Sequence, residues 1–229
     1  HLIAYNYIHN VCLEIEDQGA IYCGRDPSDR GSLIYHNYIA NIPDKFATRA
    51  IYEDDGACGV HVIGNIFYKA GTWGAFVGGG SDNITRNNIF IENKTGVHVD
   101  NRMENWLNNL LEEGGLFRKR LKAADYLNPP YITAYPQLKK YLDKAAIPTG
   151  NLMENNVFVK VGKQTEGKRD WMDYKRNNWA TNIDPGFVNW KKQNFSLKPG
   201  SVIYKELPAF EEIPFSKIGR YKDRHSLKK

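Results

Sequence analysis

A chain of 229 residues is long enough for one large domain with a sizeable core. Three cysteines exclude a disulfide framework, and the lack of a long apolar run excludes a membrane-spanning helix. The net charge of +5 is uneven: residues 1–101 carry −5 and the remainder +10. We therefore expect neither a membrane partner nor a nucleic-acid partner at the acidic part, because a phosphate backbone needs a positive footprint.

An asparagine recurs at the head of short apolar segments along the chain. The gaps between successive copies are 31, 28, 23, 68 and 22 residues, a spacing typical of a repeat architecture with one long interruption. Residues at equal offsets from each copy are expected to lie one above another. The copies are Asn6, Asn37, Asn65, Asn88, Asn156 and Asn178.

The repeat unit has the composition of strands and turns. Its apolar runs are three to five residues long, rich in Ile, Val, Tyr and Phe, and separated by Gly, Asn and Asp. Asparagine tolerates the left-handed conformation of a sharp bend, and stacked asparagines pass amide hydrogen bonds from rung to rung. We predict an all-β fold, a right-handed parallel β-helix (a pectate-lyase-like solenoid) with about one coil per repeat. An antiparallel β-sandwich is the alternative, but it would not require asparagine at one offset.

A second column follows in the segments that begin at residues 20, 50, 75 and 96. Strand alternation sends one set of side chains into the core and the other set outward. The residues predicted to point inward are Ile21, Ile51, Phe76 and Val97. The residues predicted to point outward are Tyr22, Tyr52 and His98, with Asp54 and Asp100 two residues further on.

The rest of the chain departs from the repeat. Leucines and aromatic residues at helical spacing predict a helical insertion that either packs on the flank of the solenoid or walls one side of a cleft. Since the chain enters the repeat at its first residues, we expect further N-terminal coils of the same protein. The basic run 217–229 is interpreted as a solvated tail. The predicted parts of the single domain are coils in 1–101, the insertion in 102–150, coils again in 151–183 and a capping segment in 184–229.

Two acidic segments, 14–26 and 50–57, combine carboxylates with glycine and an outward tyrosine. Neighbouring rungs lie about 4.8 Å apart, so carboxylates on nearby coils fall roughly 5–10 Å apart, the range used in glycoside hydrolysis. Gly78–Gly80 aligns with Glu53–Asp55 and would open space beside these carboxylates. Trp73 is either a stacking platform for a sugar ring or a packing residue.

Several segments resemble right-handed β-helix glycoside hydrolases of the fucosidase and xylanase type, glycoside hydrolase family 141. The paired segments EDQGAIYCGRDPSDRG and AIYEDDGACG carry the resemblance, and GVHVDNRMENW, PPYITAYPQL and SLKPGSVIYKELPAFEEIPFSKIG continue it. It covers nearly the whole chain and corresponds to the C-terminal part of such proteins. It implies a secreted or periplasmic enzyme of plant-glycan breakdown with two catalytic aspartates, Asp17 and one of Asp54 or Asp55. Asp17 lies out of column with Asp54, so Asp26 or Asp100 with Asp54 is the alternative pair.

We therefore predict a glycoside hydrolase that acts on a polysaccharide or oligosaccharide and uses no metal or cofactor. One alternative is a polysaccharide lyase or epimerase in which Arg25, Arg49 or Arg102 assists and the acidic cluster holds Ca²⁺. A noncatalytic glycan-binding solenoid is the other alternative. The predicted catalytic residues are Asp17, Asp54 and Asp55. The predicted substrate-binding residues are Tyr22, Arg25, Asp26, Tyr52, Trp73, His98, Asp100 and Arg102.

Overall fold

The computed structural model describes residues 1–168 and 172–219, with the backbone alone for 172–176. This part of the chain is mostly β, with three parallel sheets and few helices. The strands of these sheets recur in a fixed order, one from sheet 1, one from sheet 2 and one from sheet 3. Each strand except the last in its sheet pairs in parallel with the strand three places later. We call each set of three successive strands a coil. This topology agrees with the predicted parallel solenoid.

Each coil contributes one strand to each of the three sheets. The first coil contains β1 (Leu2–Ala4), β2 (Tyr7–His9) and β3 (Gly19–Gly24). The second contains β4 (Leu33–Tyr35), β5 (Tyr38–Ile42) and β6 (Arg49–Asp54). The third contains β7 (His61–Ile63), β8 (Ile66–Ala70) and β9 (Trp73–Val77). The fourth contains β10 (Ile84–Arg86), β11 (Ile89–Ile91) and β12 (Thr95–Val99). The fifth contains β13 (Asn151–Glu154), β14 (Val157–Val159) and β15 (Lys163–Gly167), and the last strands are β16 (Met172–Arg176) and β17 (Trp179–Thr181).

The predicted asparagine ladder is confirmed at the corner between sheets 1 and 2. In each step, the backbone N–H and the side-chain Nδ2 of one asparagine donate to the Oδ1 of the asparagine in the next coil, at 2.8–3.1 Å. The left-handed residue of the corner is the one before the ladder asparagine, for example His36 at φ 51° and Asn87 at φ 57°. The ladder asparagine therefore serves the corner by hydrogen bonding, and its neighbour supplies the bend.

The core column of sheet 3 differs from the prediction at one residue. Ile21, Ile51 and Val97 stack inward as expected, but Ala75 completes the column. Phe76 was predicted to point inward and instead pairs with Tyr52 and His98 on the outer side. The predicted alignment of this segment is wrong by one residue: Gly74, not Ala75, is level with Ala50 and Gly96, and a Cβ on Gly74 would lie 2.6 Å from the ring of Phe90.

A glutamate lies inside the core of the solenoid. Glu53 pairs in register with Cys23 and Val77, whose side chains pack in the same core cluster. It is 0% exposed, and neither carboxyl oxygen has a hydrogen-bond partner in the described part of the chain. Burial raises the pKa of Glu53 to about 8, because an apolar interior disfavours the ionised form. Glu53 is therefore a neutral acid at pH 7.

The remaining described segments cover two flanks of the stack. Residues 184–219, predicted to cap the last layer, make their apolar contacts along sheet 2, from Tyr38 to Val159. The side chain of Asn87 holds this segment through two hydrogen bonds to the backbone of Glu211. Its Nδ2 donates to the Glu211 carbonyl at 2.9 Å, and its Oδ1 accepts from the Glu211 N–H at 2.8 Å. The helical residues between the fourth and fifth coils pack on the turns that follow sheet 3. There Phe117 meets Gly56, and Tyr141 meets Cys58.

These covering segments contain short helices and one hairpin. The α-helices are α1 (Leu116–Ala123), α2 (Tyr131–Ala134) and α3 (Ile203–Glu206). The 3-10 helices are Arg102–Glu104, Asn108–Leu111, Pro136–Asp143, Trp190–Lys192 and Phe215–Lys217, and the antiparallel hairpin is β18 (Phe187–Asn189) with β19 (Asn194–Leu197). Within the described ranges, no helix has the length and apolarity that crossing a membrane requires. The basic run 217–229 lies outside the described residues beyond Gly219.

Replacing a ladder asparagine inside the stack is expected to destabilise the fold. In Asn65→Ala, Asn37 loses the shared acceptor of its N–H and Nδ2, and the carbonyl of Ile34 loses a donor. Because these groups are buried, we expect a loss of about 3 kcal/mol or more in the free energy of unfolding, measured by urea denaturation. The matched control is Asn6→Ala at the exposed end of the ladder, where we expect less than about 1 kcal/mol. Equal losses in both variants would contradict the role of the ladder.

Glu53→Gln is expected to remove a pH dependence of stability. In the wild type the ordinary pKa of 4.5 rises to about 8 on folding, so folding takes up a proton between these values. Stability is therefore full below about pH 4.5 and falls as the pH rises towards 8. At about 1.4 kcal/mol per pH unit, the wild type should lose roughly 3 kcal/mol relative to Glu53→Gln between pH 4 and pH 7. A constant difference between the two proteins in urea unfolding across this range would show that Glu53 ionises freely.

Candidate carboxylate site on the outer face of sheet 3

The outer face of sheet 3 carries an acidic column. Asp54, at the end of β6, pairs with Gly24 on one side, and Gly78 lies level with it on the other. Asp100 follows in the same column, since its N–H donates to the carbonyl of Val77 at 3.1 Å. Asp54 and Asp100 thus share the outward side, as predicted. The predicted alignment of the glycine triplet is wrong by one residue, because Val77 pairs with Glu53.

Arg102 lies at the centre of this column. Its Nη2 lies 2.7 Å from Asp100 Oδ2, and its Nη1 pairs with Asp55 Oδ1 at 2.9 Å and with Asp54 Oδ1. A Cβ on Gly78 would lie 2.9 Å from the guanidinium carbon. The glycine therefore leaves room for Arg102 rather than for a substrate. Arg102 was predicted to bind substrate, but it is 8% exposed and its donors face three carboxylates.

Asp55 lies in the turn after β6 and is almost fully buried. Its second oxygen accepts from Arg25 Nε at 2.6 Å, and the Arg25 backbone N–H donates to the carbonyl of Asp55. Both residues adopt left-handed backbone, with φ 39° at Asp55 and φ 60° at Arg25, so the two turns stack in register. Two guanidinium groups thus hold Asp55, which indicates that it orients its neighbours rather than meeting a ligand.

Asp17 reaches the same face from the segment before β3. Its side chain is 71% exposed, and its Oδ1 lies 2.6 Å from Arg49 Nη1 and 3.2 Å from the hydroxyl of Tyr52. Asp17 has φ 59°, a left-handed conformation that aspartate tolerates, so the chain bends as it enters β3. In the sequence, Asp17 lies out of column with Asp54. The bend at Asp17 and the length of the Tyr52 side chain together allow the Asp17 carboxylate to reach the Tyr52 hydroxyl.

The hydroxyl of Tyr52 connects Asp17 with the cluster around Arg102. It lies 3.2 Å from Asp17 Oδ1 and 3.4 Å from Arg102 Nη1, which in turn contacts Asp54. These contacts limit the separation of the Asp17 and Asp54 oxygens to roughly 9 Å. Burial raises the pKa of Tyr52, hydrogen bonding to Arg102 opposes this rise, and hydrogen bonding to Asp54 adds to it. The tyrosine therefore stays a neutral hydrogen-bonding group between the two carboxylates.

Two aromatic residues flank Asp54 and face solvent. Tyr22 is 56% exposed and donates from its hydroxyl to Asp54 Oδ2 at 2.8 Å. Burial of the hydroxyl region and the hydrogen bond to Asp54 raise the pKa of Tyr22 to about 12. Trp106 is 64% exposed, and its ring lies 5.5 Å from the Arg102 guanidinium. The sequence predicts that Trp106 belongs to the helical insertion, for which packing on the flank and walling one side of a cleft are both open, but it does not single out Trp106.

Trp73 and His98 lie on the same face but further along the stack. The indole of Trp73 donates to Glu166 Oε2 at 2.9 Å, and its ring faces the Arg49 guanidinium at 4.8 Å. His98 stacks on Phe76 at 4.4 Å and lies 3.7 Å from Glu166. Burial lowers the pKa of His98, although Asp100 and Glu166 oppose this shift. Arg49 and Glu166 connect these groups, and the sequence interpretation gave neither a place in a hydrolase site.

Asp26 occupies a different part of the structure. It accepts from the N–H and the hydroxyl of Ser28 at 2.9 and 2.6 Å, and it pairs with Arg120 of α1 at 2.7 Å. Its contacts therefore tie the turn after β3 to the helical residues. The aspartates that the structure connects around Tyr52 and Arg102 are Asp17, Asp54, Asp55 and Asp100.

The acidic cluster is neutralised by arginine. Among the described residues, no group of three or more His, Cys, Asp or Glu side chains has an arrangement that could hold a metal ion. The oxygens of Asp54, Asp55 and Asp100 instead accept from Arg102, and Asp55 accepts also from Arg25. That the protein works without a cofactor stays a prediction.

Comparison of the chain with models of protein families, with curated proteins and with solved structures finds no match. The resemblance to β-helix glycoside hydrolases therefore stays a prediction from the sequence motifs. A functional proposal therefore depends on the contacts among Asp17, Tyr52, Arg102 and Asp54 on the outer face of sheet 3.

Arg102→Met is expected to destabilise the protein strongly. The substitution leaves Asp54, Asp55 and Asp100 without their shared cation, and buried carboxylates without a partner are costly. We expect a loss of about 3 kcal/mol or more in the free energy of unfolding, measured by urea denaturation at pH 7. Arg86→Met is the control, because the Arg86 side chain is 44% exposed and its 3.6 Å contact with Glu154 should contribute at most about 1 kcal/mol. An effect of Arg102→Met as small as that of the control would contradict the central role of this arginine.

Proposed function

We propose that the protein is a glycoside hydrolase that cleaves a plant or other complex polysaccharide. The observation that carries the proposal is the Tyr52 hydroxyl, which connects the exposed Asp17 to the Arg102-bound Asp54. The resulting limit of roughly 9 Å overlaps the separations of about 5–9.5 Å that retaining and inverting hydrolases use. Asp17 and Asp54 are accordingly the proposed catalytic pair.

The proposed roles follow from the surroundings of each carboxylate. Asp54 accepts hydrogen bonds from Tyr22 and Arg102, so its oxygens are oriented as the nucleophile or the base. Asp17 is largely exposed, so its carboxyl group is accessible to the glycosidic oxygen of a bound glycan, and we assign it the general-acid role. Asp55 and Asp100 pair with Arg102, and Arg102 in turn holds Asp54 in place.

The exposed aromatic residues support a carbohydrate substrate. Sugar rings present apolar C–H faces, and flat aromatic side chains in solvent supply matching surfaces. Tyr22 and Trp106 provide two such surfaces beside Asp54, and both are more than half exposed. In this proposal they bind the sugars on either side of the cleaved bond, and Arg25 lies beside Tyr22 on the same rim.

The proposed fold and location complete this interpretation. Within the three sheets, each strand except the last pairs in parallel with the strand three places later, which supports a right-handed, pectate-lyase-like β-helix as the fold. The resemblance in the sequence motifs supports a secreted or periplasmic enzyme. A repeating stack suits a polymeric substrate, because each coil presents the same outer column.

Replacing either proposed catalytic aspartate is expected to abolish cleavage. In Asp17→Asn and Asp54→Asn the carboxylate is lost with little change in volume, and we expect kcat to fall by about 100-fold or more. The measurement is release of reducing ends from a panel of xylans, pectins and fucosylated glycans. Asp143→Asn, on the exposed surface of the helical residues, is the control and should keep wild-type activity.

The outcome also separates hydrolysis from the alternatives. Wild-type rates in both aspartate variants would contradict the proposal. Products that absorb as unsaturated sugars, and that disappear with a chelator, would assign the protein to the lyases. Urea unfolding of each variant shows whether a loss of activity reflects chemistry, and Asp17→Asn is the stricter test because Asp17 is exposed.

A further inference from the structure

A groove that the proposed catalytic site does not use runs along the corner between sheets 2 and 3. It consists of two neighbouring cavities of about 590 and 510 Å³, which share Asp44 and Lys94 as lining residues. Cavities of roughly 300–1,000 Å³ are of the size that takes a small organic ligand. The groove crosses from the second coil, at Asn41 and Asp44, to the fifth coil, at Lys163.

The groove is continuous with the face that carries the proposed catalytic pair. Trp73 lines it, and the ring of Trp73 contacts the Arg49 guanidinium, which binds Asp17. Arg49, Trp73, Thr95 and Lys163 occupy one register column on successive coils. Lys163 is therefore three rungs from Arg49, or about 14 Å at the usual strand spacing.

The polar groups of the groove alternate between donors and acceptors. Glu166 is held by Trp73 Nε1 at 2.9 Å and by Lys163 Nζ at 2.6 Å, and Lys69 pairs with Glu92 at 3.2 Å. The lining holds four lysines and three carboxylates, a formal net charge of +1, so the groove suits a neutral ligand rich in hydroxyl groups better than a strongly charged one. The partly exposed indole of Trp73 adds an apolar surface.

We propose that this groove is a distal sugar-binding site that holds a part of the polysaccharide beyond the proposed catalytic pair, from the second coil to Lys163, about three rungs away. The inference rests on the proposed function and deepens it, since it makes the substrate a long, mostly neutral glycan chain. A long glycan that spans the groove and the proposed catalytic site makes contacts at both, whereas a disaccharide occupies only one of the two sites. Binding and turnover therefore depend on chain length.

The test compares short and long glycans on the full chain. Calorimetry on Asp17→Asn, which keeps the groove and lacks the proposed acid, measures the Kd of two neutral series, xylo-oligosaccharides and galacto-oligosaccharides, each of two and eight units. We expect the longer glycan of one series to bind at least tenfold more tightly than the shorter one. Adding Lys94→Ala or Lys163→Ala should weaken the long glycan about tenfold and change the short one less than twofold. Lys139→Ala, an exposed lysine of the helical residues, is the matched control.

The distal site and the catalytic proposal can fail separately. Long glycans that bind through Lys94 and Lys163 but are not cleaved by the wild type would support the groove and refute the hydrolase. Cleavage with equal affinity for short and long glycans would support the hydrolase and overturn the distal site. The distal site is also overturned if neither series binds, or if the lysine variants weaken both lengths equally.

Discussion

The asparagine ladder is the constraint on which the rest of the structure depends. A side-chain amide offers one acceptor and two donor hydrogens, so each ladder asparagine can receive two hydrogen bonds from the coil before it and donate to the coil after it. These bonds fix the register of successive coils at one corner. Once the register is fixed there, every later position in each coil is fixed as well, including the outer face of sheet 3. The columns of that face, and therefore the candidate site, follow from hydrogen bonds made on another corner of the stack.

Three consecutive acids show how strongly this register determines chemistry. Glu53 points into the core and is neutral at pH 7 because burial raises its pKa to about 8. Asp54 points outward beside Tyr22, and Asp55 turns into a buried double contact with Arg25 and Arg102. The same functional group thus serves as a buried acid, a site carboxylate and a structural anchor within three residues. Alternation along the strand separates the first two, and the left-handed turn after β6 separates the third.

The helical residues between the fourth and fifth coils belong to the site as well as to the flank. Arg102 begins this segment, and its guanidinium fills the space above Gly78 between three carboxylates. Trp106 lies beside Arg102 and faces solvent, while Phe117 and Tyr141 pack on the turns that follow sheet 3. The interruption of the repeat therefore supplies the cation that allows several aspartates to lie close together, since their mutual repulsion would otherwise oppose the arrangement.

The sequence by itself determined the repeat, its register at the asparagines and the shared outward side of Asp54 and Asp100, because these depend on local pattern and on the period of two in a strand. It also located the acidic segments from which the proposed site is built. Only the tertiary structure decided that Phe76 points outward, since the pairing of Ala75 with Ile51 and Val97 sets the register of β9. It alone assigned Arg102 a structural role, brought Asp17 to Tyr52 across a bend, and opened the groove beside Trp73. Each of these depends on contacts between distant coils, which a one-dimensional pattern does not specify.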